Sequence, residues 1–131
     1  MNKILLSLFV LLIFTLLSTQ CKTDDGTSGF ESDQAELIRL KTEIELLAST
    51  SVYNESVECK YIGLGSKPCG GPWAYLIYST SIDTEKLENL VENYNEKERS
   101  FNSKWGLVSD CAFVNPPSNI KCENNTCIAE Y

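Results

Sequence analysis

The chain predicts an α+β domain: a small antiparallel sheet with two helices packed against it, stapled by disulfides. Three observations carry that expectation. Two segments repeat apolar residues at helical spacing, and short alternating runs of strand character lie between and after them. Their order is helix, two strands, helix and then short strands, the pattern of helices laid on an antiparallel sheet. Six cysteines in 131 residues supply covalent staples for an exported chain of this size.

The first residues predict export. Met1-Asn2-Lys3 is a short basic stretch, and the run from Ile4 to Leu17 is apolar except for Ser7 and Thr15. Such a run is short for a membrane-spanning helix and right for a signal-peptide core, so residues 1–20 read as a signal peptide. The run ends at Leu17-Ser18-Thr19-Gln20-Cys21. This resembles the lipobox of bacterial lipoproteins, in which the cysteine becomes the lipidated first residue. Gln20 and Ser18 depart from the common pattern, and relaxed boxes of this kind resemble those of Bacteroidetes-type lipoproteins. The resemblance implies a lipid on Cys21, a membrane anchor without a spanning helix, and a place in the outer membrane or on the cell surface. An ordinary secretory signal, with a secreted or periplasmic product, is the alternative.

Residues 21–32 then read as a flexible tether, with Phe30 its only large apolar side chain. Lys22-Thr23-Asp24-Asp25 resembles the basic-then-acidic stretch that marks surface export in the same group. A single domain is expected over 33–131. Asp33 can cap its first helix, with Glu36 three residues on. Leu37, Leu40, Ile44 and Leu47 form the helix's apolar stripe, and Ser49-Thr50-Ser51 ends it.

Val57 to Ile62 alternates, which predicts a strand with Val57, Cys59 and Tyr61 inward. Gly63 to Pro68 is a loop. Gly63, Gly65 and Lys67 invite comparison with a phosphate-binding loop, but the spacing is wrong and Pro68 would block the helix such a loop must start. Cys69-Gly70-Gly71-Pro72-Trp73 reads as a rigid, packed corner: the glycines permit positive φ and Pro72 fixes its own. The corner delivers Trp73 to Tyr78, apolar on both faces and so expected to be a central strand. Asp83 caps a second helix that runs to about Lys104. Its inner stripe is Leu87, Leu90, Val91, Tyr94, Phe101 and Trp105, and Gly106 stands where a left-handed C-terminal residue belongs. Glu85, Glu88, Glu92, Glu96, Lys97 and Arg99 are assigned to its wet face. Leu107 to Val114 is another strand candidate, with Asp110 expected to support the corner by accepting backbone N–H bonds. Asn119 to Cys122, a turn at Glu123-Asn124-Asn125-Thr126, and Cys127 to Tyr131 predict a hairpin.

Charge and composition exclude some chemistries. The formal net charge is −7, and loss of residues 1–20 removes only Lys3 and takes it to −8. Such a surface repels nucleic acid and favours a basic protein partner. The chain has no histidine, so Ser-His-Asp and Cys-His nucleophile systems and His-ligated metal sites are ruled out. No catalytic constellation, metal site or cofactor is expected.

From Cys59 to Cys127 the chain resembles a group of small exported bacterial proteins of the Bacteroidetes lipoprotein type. The shared pattern here is Cys59, Ile62-Gly63-Leu64-Gly65, Cys69-Gly70-Gly71-Pro72, Tyr75 to Ser79, Tyr94-Asn95, Ser109-Asp110-Cys111 and Cys122 to Cys127. The resemblance brings no activity with it. Similar proteins carry a further cysteine shortly before the one matching Cys59, where this chain has Ser49 and Ser51.

With Cys21 lipidated, five cysteines remain, and five cannot pair completely. Cys69 with Cys111 is the favoured bridge, because it closes a long loop between two expected strands. Cys122 and Cys127 flank a short turn and form the second candidate. Cys59 is then left as a buried, inert thiol. These features lead to a non-enzymatic cell-envelope lipoprotein that binds a partner or serves structurally. The alternative is an inhibitor of an extracellular hydrolase, a protease or lysozyme, presenting Gly63, Gly65, Lys67, Gly70, Gly71, Pro72 and Trp73 as its binding loop.

Overall fold

The computed structural model describes residues 25–131; the expected signal peptide and Cys21 lie outside the described residues. The elements run α1 (Asp25–Ser49), β1 (Cys59–Leu64), β2 (Ala74–Ser79), α2 (Thr84–Trp105), β3 (Asn119–Glu123) and β4 (Thr126–Glu130). β1 and β2 pair antiparallel, as do β3 and β4, in two separate two-stranded sheets. The domain is therefore α+β, with two helices and small antiparallel sheets.

The core lies where the two helices meet the first sheet. Leu37, Leu40, Ile44 and Ala48 of α1 face Leu87, Val91, Tyr94 and Phe101 of α2, and Leu64 and Tyr78 close the cluster from the strands. Each aliphatic side chain so buried contributes about 1.5–3 kcal/mol. α2 is bounded by local chemistry. The Asp83 side chain accepts from the Lys86 N–H, and Gly106 takes the left-handed conformation (φ 62°), donating its N–H to the Asn102 carbonyl.

α1 starts earlier than the composition of its first turns implies. Residues 25–32 are helical rather than tether. The reason is Phe30, whose ring lies 5.1 Å from that of Phe101 and 5.3 Å from that of Trp105. Burial of this ring against α2 offsets the poor helix propensity of Gly26 and Gly29. Asp33 is not a cap but a clasp. Its Oδ2 accepts from Lys104 Nζ at 2.6 Å and from Trp105 Nε1 at 3.1 Å. These hydrogen bonds, Lys104 first, hold its carboxyl below the ordinary range.

Both strands of the first sheet differ from their expected facing. β1 turns Ile62 and Leu64 to the core and leaves Tyr61 43 % exposed. β2 is not a central strand covered from both sides: Leu76 and Tyr78 face the core, and Trp73 before it is 45 % exposed. Period-two alternation offered an apolar residue at either parity, and the helices select the even one. Residues 107–118 form no strand before β3. Only Ser118 N–H reaches a strand, at the Glu130 carbonyl, and Pro116-Pro117 supplies no N–H for a ladder. Val108 and Phe113 are exposed in consequence.

The hairpin β3–β4 turns through Asn124 (φ 48°) and Asn125 (φ 63°). Two successive left-handed residues are the two-residue turn that matches strand twist. The hairpin docks on the first sheet with β3 near β1 and β4 near β2. Disulfides join Cys69 to Cys111 and Cys59 to Cys127. Cys122 is the exposed free thiol. Connectivity at the hairpin thus departs from expectation, with Cys127 bridged to Cys59 and not to Cys122. Cys122 and Cys127 are direct register partners, so nearness across the turn does not decide between them. The docking of the hairpin brings both within reach of Cys59.

Candidate functional site

Residues 63–73, from the end of β1 to the start of β2, are tied to α2 and to residues 110–112 by hydrogen bonds, an ion pair and a disulfide. The chain leaves β1 through Gly65, at φ 88°. A Cβ there would lie 2.5 Å from Trp73 Cδ1 and 2.9 Å from Glu98 Oε2, so only glycine fits. Three side chains of α2 hold the backbone at this point. Asn95 Oδ1 accepts from the Gly65 N–H at 2.6 Å, and its Nδ2 donates to the Gly63 carbonyl at 3.0 Å. Glu98 accepts from the Ser66 N–H. Asn102 Nδ2 donates to the Ser66 carbonyl at 2.6 Å. Positions 95, 98 and 102 recur at i, i+3 and i+7, so one stripe of the helix reads the loop's main chain.

The loop is also closed on itself. Lys67 N–H donates to the Gly71 carbonyl, Gly70 N–H to the Lys67 carbonyl, and Trp73 N–H to the Leu64 carbonyl. Lys67 points inward, with its side chain only 6 % exposed. Its ammonium donates to the Ala112 carbonyl at 2.8 Å and pairs with Asp110 Oδ1 at 3.4 Å. It also stands 5.1 Å from the centre of the Trp73 ring. Asp110 therefore meets a cation beside the corner rather than backbone N–H groups, and its own side chain is 73 % exposed. The Cys69–Cys111 bridge ties the same two segments covalently. Together these bonds lash residues 109–112 to the loop, which explains how a stretch without strand structure is held.

The expected binding-loop residues are thereby divided. Gly63, Gly65 and Lys67 are turned to the interior as parts of the support. Gly70, Gly71 and Trp73 face outward. The corner is packed at Gly65 and not at the glycine pair. Gly70 and Gly71 have φ of 95° and 81°, but a Cβ on either meets nothing within 4 Å. Pro72 leans on Gly63, whose added Cβ would come within 3.3 Å of the proline ring. Outside, the rings of Tyr61 and Tyr75 meet edge-to-face at 5.5 Å, and Phe113, 80 % exposed, follows the lashed Ala112.

Two tyrosines under the corner stay protonated far into the alkaline range. Tyr78 donates to Glu88 at 2.8 Å and is pushed up to about 12, chiefly by burial and then by that carboxylate. Tyr94 is raised further by burial and by Glu98, to which it donates at 3.1 Å. Glu98 thus joins the core tyrosine to the loop amide. Glu88, assigned to the wet face, is instead half-buried and bonded to Tyr78. Asn95, Glu98 and Asn102 have no assigned role in the sequence reading. The available signals were the Tyr94-Asn95 pair of the shared pattern and position: Asn95 and Asn102 each follow a residue of the buried stripe, and Glu98 stands four residues after Tyr94 and three before Phe101. Among the described residues no group of three histidine, cysteine or acidic side chains is placed to hold a metal ion.

The site and fold define a small disulfide-stapled α+β domain built around a braced corner. No family model, no curated protein and no solved structure matches the chain.

Proposed function

We propose that the chain is a non-enzymatic cell-envelope lipoprotein, anchored through Cys21, whose domain binds a protein partner at the braced corner. The observation that carries the reading is a fixed backbone displaying exposed aromatic side chains, Trp73 and Phe113. Large exposed aromatics are the side chains that anchor protein interfaces, and a surface ordered in advance loses little entropy on binding. The acidic surface favours a basic partner and discourages nucleic acid. The anchor rests on the apolar run ending at Cys21. No helix among the described residues is long and apolar enough to cross a membrane.

Capture from native envelope extracts tests the binding face. The wild-type chain should retain a partner that Phe113→Ser loses, since an 80 % exposed ring can be removed without disturbing the fold. Equal capture by both overturns the assignment of the face. Changing Cys21→Ser should release the chain from membranes; unchanged membrane fractionation overturns the anchor.

One observation favours the inhibitor reading. Gly70 and Gly71 form an exposed tip with the Cys69–Cys111 bridge at its base, the build of a loop offered to a protease cleft. With Lys67 turned inward, that tip offers a cleft no cation of its own. Inhibition of a purified extracellular protease or lysozyme, lost when Gly70 and Gly71 are replaced, would establish this reading over the first.

A further inference from the structure

Three of the cysteines meet at one place. Cys59 lies at the start of β1, and Cys122 and Cys127 lie directly opposite each other in the β3–β4 hairpin. Cys127 is bonded to Cys59, yet the free Sγ of Cys122 stands only 3.3 Å from the same Cys59 sulfur. One sulfur of β1 thus has two suitors, one on each strand of the hairpin. The surroundings hold this arrangement in place. Tyr53 N–H donates to the Asn125 carbonyl at 2.7 Å, tying the segment before β1 to the hairpin turn. The Cys122 side chain beside Tyr53 raises the pKa of the tyrosine hydroxyl.

We propose that Cys59, Cys122 and Cys127 form a three-sulfur exchange centre with Cys59 as the shared sulfur. The Cys122 thiol gives its proton to water, and the thiolate attacks Cys59 Sγ. A Cys59–Cys122 bond forms as the Cys59–Cys127 bond breaks, and the electron pair leaves on Cys127, which takes a proton from water. Nothing is oxidised or reduced overall, so the step needs no external reagent; thiolate attack on a neighbouring disulfide is enough. Its consequence is mechanical and chemical. The staple to β1 passes from β4 to β3, and the free thiol passes from the exposed Cys122 to the half-buried Cys127. The centre would then set which strand of the hairpin is tied down and how accessible its thiol is to other thiols and disulfides in the envelope.

Mapping the bridges in acid, where thiolate exchange is frozen, tests this. The full chain is incubated at about pH 8, where thiol–disulfide exchange proceeds, then acidified and digested with pepsin. Peptides carrying Cys59–Cys127 and Cys59–Cys122 should both be found. Cys59–Cys127 as the sole bridge of the three overturns the proposal. A Cys122–Cys127 bridge with Cys59 free overturns Cys59 as the shared sulfur, and a dimer linked through Cys122 overturns the exchange itself. In Cys127→Ser, oxidised with glutathione disulfide, Cys59 and Cys122 should join. Two persisting thiols in the folded variant would overturn the reach argument. Should that variant not fold, the wild-type bridge map decides alone.

Discussion

Replacing Gly65 with alanine separates a packed corner from an ordinary glycine turn. Two costs add at this position. A residue with a Cβ held at φ 88° loses about 1–2 kcal/mol relative to glycine. The new methyl also overlaps the Trp73 ring at 2.5 Å and the Glu98 carboxylate at 2.9 Å. Glu98 must withdraw, which breaks its charge-assisted bond to the Ser66 N–H, worth about 1.5–3 kcal/mol. The expected loss is therefore about 3–4 kcal/mol. Gly71→Ala is the control. It meets the same φ restriction at 81° but open space around its Cβ, so it should lose only that first cost, about 1–2 kcal/mol. Urea unfolding of the disulfide-intact chains, followed by tryptophan fluorescence, gives both values from the midpoints at common slope. Equal losses in the two variants would refute the packing of Gly65 against Trp73 and Glu98. A loss confined to Gly71→Ala would refute it as well.

Further outcomes follow from other contacts. Phe30→Ala should lower stability by about 2–3 kcal/mol, below the full core value because the ring is only partly buried; an unchanged urea midpoint would return residues 25–32 to the role of tether. Lys67→Met should lose about 1–2 kcal/mol and alter Trp73 fluorescence, since it strips the Ala112 carbonyl of its donor and the Trp73 ring of its cation. Intact fluorescence and midpoint would show the ammonium to be unbound. Raising the pH should destabilise the domain through Tyr78. Its folded-state pKa lies above the ordinary 10.0, so its contribution is complete below that value and lost as pH rises through about 12. Absorbance titration should show the ionisation of Tyr78 delayed beyond that of exposed tyrosines, and Tyr78→Phe should abolish that component.

Local chemistry was legible in the sequence, and choices made by distant contacts were not. The Asp83 cap, the Gly106 terminus and the Asn124-Asn125 turn each depend on a few neighbouring residues, and all stand where expected. The facing of β1 depended on which parity the helices would cover. Tyr61 was the expected inward residue and Leu64 was assigned to the loop, but the helices cover the even positions, Ile62 and Leu64. The reach of α1 to Asp25 depended on Phe101 and Trp105, more than seventy residues away from Phe30 along the chain. The braces of the corner were hidden for a related reason. Polar side chains on a charged helix read as solvated, and only the return of the chain after β1 gives Asn95, Glu98 and Asn102 something to hold. The approach of Cys127 to Cys59 across 68 residues likewise belongs to the docking of the hairpin.

A corner held by α2 before any partner arrives has one direct signature, native-state hydrogen exchange at the Gly65 and Ser66 amides. Both lie in a loop, but each is bonded to a side chain of the helix, Gly65 to Asn95 and Ser66 to Glu98. Their protection should match that of the buried middle of α2 and fall together with it as denaturant is added. Exchange of these two amides at the rate of the amide of exposed Gly71 would contradict a braced corner, and with it the preorganised binding face.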